Sequence, residues 1–81
     1  MNYGRLKTSP RLQRALRALQ RAEGEISTME LSRRARICAV NSVVAELRAN
    51  GAEIRCRKGH DANKRMRFFY TLVKSPKGYD A

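Results

Sequence analysis

Residues 27–51 read STMELSRRARICAVNSVVAELRANG, and the reading of this stretch decides the fold. Ser27 and Glu30 stand at the spacing of a capping box, a hydroxyl at the N-cap and a carboxylate three residues on. Met29, Leu31 and Ala35 then predict a short helix over 28–35, with Ser32, Arg33 and Arg34 outward. A second run begins near Cys38 and ends at Asn50, with Gly51 as its left-handed terminator. Ile37, Val40, Val43, Val44 and Leu47 fall on one stripe of that run and pack inward. Ser42, Ala45, Glu46 and Ala49 point away from the stripe, flanked by Asn41 and Arg48. Three valines lower the intrinsic propensity of this helix, so packing must hold it.

Upstream, Ser9-Pro10 opens another helix: Ser9 caps it, and Pro10 at the first position gives up only a donor that has no helical partner. Leu12, Ala15, Leu16, Leu19 and Ala22 form its buried stripe, Arg11, Arg14, Arg17 and Arg21 its solvent face, and Gly24 ends it. Glu25-Ile26 reads as a short extended link able to pair at a sheet edge. Downstream the period drops to two. Ile54 and Cys56 alternate with Arg55 and Arg57, and Met66, Phe68, Tyr70 and Leu72 alternate with Arg67, Phe69, Thr71 and Val73. These are two strands joined by the seven polar residues 58–64. Residues 1–8 and 75–81 read as flexible tails around a domain spanning 9–74.

Eighteen Lys and Arg stand against seven Asp and Glu, a net charge of +11 in 81 residues. The charge is uneven: by count of the sequence, 1–24 carries +5, 25–51 only +1, and 52–81 another +5. A chain of this size is one domain, and 42 % hydrophobic residues suffice for a small core. Such basicity points to partners with dense negative charge. No apolar run approaches the ~20 residues of a membrane span, and the N-terminus has no signal-peptide core, so a cytoplasmic protein is expected. Cys38 and Cys56 are expected as small, reduced, buried thiols. With His60 and Asp61 they are the only metal candidates and lack the paired spacings of structural zinc, so no metal or other cofactor is expected. One His in a polar loop, no matched carboxylates and no Gly-rich phosphate loop leave catalysis nothing to organise around, so an enzyme is not expected.

Helix, link, helix, tight turn, helix and basic hairpin is the order of a winged helix-turn-helix, an α+β fold of three helices with a small antiparallel β-hairpin wing. The segment SPRLQRALRALQRAEGEISTMELSRRARICAVNSVVAELRANGAEIRCR, followed by RFFYTLV, resembles the small helix-turn-helix domains of phage and prophage proteins. The likeness spans roughly residues 9–74 and rests mostly on packing positions. It implies a compact three-helix domain with a β-wing, and double-stranded DNA as ligand.

The residues make a physical case beside that resemblance. A helix over 39–50 laid in a major groove needs small and polar groups outward. Ala45 and Ala49 permit close approach, Asn41 and Ser42 can bond base edges, Glu46 can accept from cytosine, and Arg48 can reach a phosphate or a guanine. The helix is neutral because affinity comes from a charged frame around it. Arg33, Arg34 and Arg36 precede it; Arg55, Arg57, Lys58, His60, Lys64, Arg65 and Arg67 populate the hairpin, with 57–67 expected along the backbone. The bland readings are exposed helix residues, a solvated turn and a charged hairpin edge that discourages aggregation. The Arg stripe of the first helix is open to three uses: solvation, an acidic protein partner, or a neighbouring DNA segment. The rival function is accordingly a protein-interaction module docking an acidic partner through that helix. Phe68, Phe69 and Tyr70 raise base stacking and RNA, which ranks second, because Phe68 and Tyr70 share the expected core face with Met66 and Leu72.

Overall fold

The structure, a computed structural model, describes residues 4–79. A short 3-10 turn at Leu6–Thr8 leads into α1 (Pro10–Ala22), β1 (Glu25–Ser27), α2 (Thr28–Ala35), α3 (Val40–Ala49), β2 (Glu53–His60) and β3 (Met66–Lys74). Among the described residues this is an α+β domain of three α-helices and a three-stranded antiparallel sheet in the order β1-β3-β2. The arrangement is compatible with a winged-helix plan.

The local signals act as the side-chain chemistry requires. The Leu12 N–H donates to Ser9 Oγ at 3.5 Å, capping α1. The Glu30 N–H donates to Ser27 Oγ at 3.1 Å, but the Glu30 carboxylate turns outward to Arg33 and Arg34 instead of completing the reciprocal half of the box. Gly51, at φ 104°, provides the left-handed turn after α3. Three other left-handed positions belong to residues with a Cβ, Glu23 after α1, Arg36 after α2 and Lys64 between β2 and β3. Arg36 costs about 1 kcal/mol of backbone strain there. Bonds to Ser32 hold it: the Arg36 and Ile37 N–H groups both donate to the Ser32 carbonyl, and Ser32 Oγ donates to the Ile37 carbonyl.

One core joins all the elements. Leu12, Leu16 and Leu19 of α1 meet Leu31 and Ala35 of α2, Val40, Val43, Val44 and Leu47 of α3, and Ile26, Ile54 and Tyr70 of the sheet. β1 pairs with β3 through Ile26↔Tyr70, so the short link between α1 and α2 becomes an edge strand.

Five expectations need correction. The N-terminal segment is not a tail over 4–8. Leu6 is buried, its N–H donates to Asn50 Oδ1 at 3.0 Å, and Asn50 Nδ2 donates to the Gly4 carbonyl at 2.9 Å. Nor are residues 75–79 loose, since Pro76 is buried and Gln20 Nε2 donates to the Tyr79 carbonyl at 2.6 Å. Residues 1–3 and 80–81 of the two expected tails lie outside the described residues. The thiols of Cys38 and Cys56 are exposed, not buried. Cys38 sits on the α2–α3 connection, and Cys56 sits where the sheet runs on beyond the helices. For the same reason Met66 and Phe68, placed in the core by strand parity, are 53 % and 44 % exposed. The β2–β3 connection also shortens to 61–65. Asp61 Oδ1 accepts from the N–H groups of Asn63 and Arg65 at 2.9 and 3.0 Å, closing a tight tip.

Candidate nucleic-acid interface

The pleat sorts the hairpin side chains. Cross-strand partners share a face, and Tyr70↔Cys56, Phe68↔Lys58 and Met66↔His60 lie on the face that, at Ile54, Leu72 and Tyr70, packs on the helices. Arg55, Arg57, Arg67 and Phe69 project from the other face. There Arg57 holds Glu25 through a two-point fork of 2.5 and 2.8 Å, its guanidinium lies 4.7 Å from the Phe69 ring centre, and Arg67 bonds Asp61 Oδ2 at 3.0 Å. The cations expected on one surface are therefore divided. Lys58 and His60 share the helix side, Arg55, Arg57 and Arg67 the outer side, and Lys64 and Arg65 the tip.

The Tyr70 hydroxyl donates to Asn41 Oδ1 at 2.8 Å. Burial first, with the Cys56 thiol contributing, pushes the Tyr70 hydroxyl above its ordinary 10.0, so it remains a donor at neutral pH. Thr28 Oγ1, at the start of α2, donates to the Phe68 carbonyl at 3.2 Å. These bonds bring the starts of α2 and α3 against the helix-side face of the hairpin. Asn41 and Ser42 are exposed beside it, along with Met29 at 58 %. Ala39, the N-cap of α3, offers no side-chain acceptor, so the first N–H groups of that helix have no side-chain cap.

The far half of α3 is occupied differently. Glu46 does not face solvent: Arg11 Nη2 donates to both of its carboxylate oxygens, at 2.8 and 2.9 Å, and its side chain is only 12 % exposed. Gly4 lies against the same carboxylate. Arg48 Nη2 donates to the Ile54 carbonyl at 2.6 Å, tying α3 to β2. Ala45 is half-buried and Ala49 exposed. Of the five residues expected at base edges, Asn41 and Ser42 stand together at an open turn, whereas Glu46 and Arg48 are committed to contacts within the chain. Arg33 and Arg34 are exposed and share Glu30, and Arg36 is exposed with no carboxylate partner among the described residues.

Sequence reasoning missed the Tyr70–Asn41 bond and the cover that residues 4–11 place over α3. A single apolar residue, Leu6, in a polar stretch was the available signal for the second. Among the described residues no three His, Cys, Asp or Glu side chains converge into a metal-ligating group. No helix of the described chain is long and apolar enough to cross a membrane. Comparison with protein-family models, with curated proteins and with solved structures finds no match.

Proposed function

We propose that this chain is a winged helix-turn-helix domain that binds double-stranded DNA, as a regulator or architectural protein of the phage or prophage kind. α3 enters a major groove by its first turn, where Asn41 and Ser42 meet base edges. The β2–β3 wing lies over the neighbouring backbone or minor groove, with Lys58, Lys64 and Arg65 on phosphates and Phe68 and Met66 against sugars. The observation that carries this reading is the bond between Tyr70 and Asn41, which fastens the reading turn to the wing. With Asn41 Oδ1 engaged by Tyr70, its amide N–H groups are what it offers to a base, and the acceptors of guanine, or N7 of adenine and O4 of thymine, suit them. Arg36 and the uncapped start of α3 add positive potential at the same edge.

The test is fluorescence anisotropy with duplex DNA between ~50 and ~200 mM salt. Counterion release predicts a steep, log-linear loss of affinity. Replacing Lys58, Lys64 and Arg65 by Ala should weaken binding to all sequences alike, and replacing Asn41 and Ser42 should change which sequences a random duplex library enriches. Salt-independent binding, or an enriched motif unaltered by the Asn41 and Ser42 changes, would refute the reading.

A further inference from the structure

Away from α3 and the sheet, α2 returns alongside α1, and Arg14 Nε donates to the Ala35 carbonyl at 2.8 Å. Between the two helices opens a cleft of about 430 Å³ lined by Arg14, Arg17, Ala18, Arg21, Arg34 and Arg36. Among the described residues, five guanidinium groups and no carboxylate line it. Arg14, Arg17 and Arg21 fall within one narrow sector of α1, spread over about 10 Å of its length. Arg34 shares Glu30 with Arg33, whereas Arg17, Arg21 and Arg36 have no carboxylate partner among the described residues. The buried leucines of α1 and α2 hold these like charges together, and a polyanion in the cleft would relieve their mutual repulsion.

The lining says which polyanion. Every cation is an arginine, whose planar fork pairs with phosphate at two points. An acidic protein segment would need apolar anchors as well as charge, and Ala18 is the only apolar side chain in the lining. Among the described residues the large exposed hydrophobics, Met29, Met66, Phe68 and Val73, lie on the start of α2 and on the sheet. A site rich in charge and poor in apolar surface suits a phosphate backbone, whose binding is driven by counterion release.

We propose that the α1–α2 cleft binds a nucleic-acid phosphodiester backbone, as a second contact separate from the α3–wing surface. The proposal rests on the reading above only in taking nucleic acid as the polyanion. The experiment uses the isotope-labelled full chain, a 10-base-pair duplex and, separately, a poly-glutamate peptide. The variant R17Q/R21Q changes two exposed residues outside the α3–wing surface, and its amide spectrum reports whether the fold is retained. The duplex is expected to shift the Arg17 and Arg21 side-chain Nε–H signals. The double variant should reduce the slope of log K against log salt by about two, while Asn41 and Phe68 still shift. A wild-type slope in the folded variant would overturn the proposal. So would poly-glutamate moving Arg17 and Arg21 at concentrations where the duplex does not, which would assign the cleft to an acidic protein. A duplex that moves Arg17 and Arg21 but leaves Asn41 and Phe68 unmoved would sustain the cleft and overturn the role given to α3 and the wing.

Discussion

The Tyr70 hydroxyl on the central strand donates to Asn41 Oδ1 in the first turn of α3 at 2.8 Å, joining two residues 29 apart in sequence. The ring of Tyr70 is buried in the core, so its bond holds the first turn of α3, with Asn41 and Ser42 exposed, at a set distance from the β2–β3 hairpin. Tyr70→Phe keeps the ring and deletes the bond. It should lower stability by about 1 kcal/mol in urea unfolding. Asn41 would then have a free acceptor beside its donors, and a random duplex selection should gain adenine, which pairs with both. The raised hydroxyl pKa adds a pH signature. Folding favours the protonated phenol, so its contribution is complete below the ordinary 10.0 and is lost as pH rises through the higher folded value. The wild type should therefore lose stability more steeply than Tyr70→Phe above pH 10.0.

Leu6 is 2 % exposed and sits where Asn50 ties down the N-terminal segment. Leu6→Ala should cost about 2 kcal/mol or more, lowering the melting temperature by roughly 10 °C in a domain of this size. Deleting residues 1–8 should cost at least as much. A melting curve unchanged by either would show that this segment contributes no packing energy.

On the β2–β3 hairpin, Lys58 shares a face with Phe68 and Arg57 shares one with Phe69. If DNA lies on the helix side, Lys58→Ala should reduce the salt slope of binding by about one, and Arg57→Ala should leave it nearly unchanged. Phe68→Ala should weaken binding while shifting stability by less than about 1 kcal/mol, because Phe68 is already 44 % exposed. Anisotropy and thermal melting on the same three variants check both statements.

The tip of the β2–β3 hairpin should open in acid. The Arg65 N–H first, then Arg67 and the Asn63 N–H, hold the Asp61 carboxyl below its ordinary 3.8. Since the ionised form is the one bonded in the fold, its contribution is present above pH 3.8 and is lost as pH falls through the lower folded value. Amide exchange at Asn63 and Arg65 should accelerate over that interval while core amides stay protected. Asp61→Ala, which removes the acceptor of both N–H groups, should show the faster exchange already at neutral pH.

Much of the architecture was legible because it depends on short-range periodicity. The α1 and α3 stripes, the Ser9 and Ser27 caps and the Gly51 terminator all fall where a 3.6-residue repeat and cap chemistry put them. Strand parity sorted side chains to the right faces of β2 and β3, but parity cannot tell how far helices extend over a sheet. Cys56, Phe68 and Met66 therefore share the core face and yet lie beyond its cover.

The candidate site was harder to read for the same physical reason. The amino-acid order alone determines that the chain is strongly basic, that Asn41 and Ser42 fall outside the valine stripe, and that arginines recur on one side of α1. Only tertiary packing decides which polar groups stay available. It spends Glu46 on Arg11 and Arg48 on Ile54, and brings Arg34 and Arg36 beside Arg14, Arg17 and Arg21. The Glu46–Arg11 pair and the arginine cluster of α1 and α2 join residues far apart in sequence, and their geometry follows from how helices and sheet cross, which no local pattern encodes.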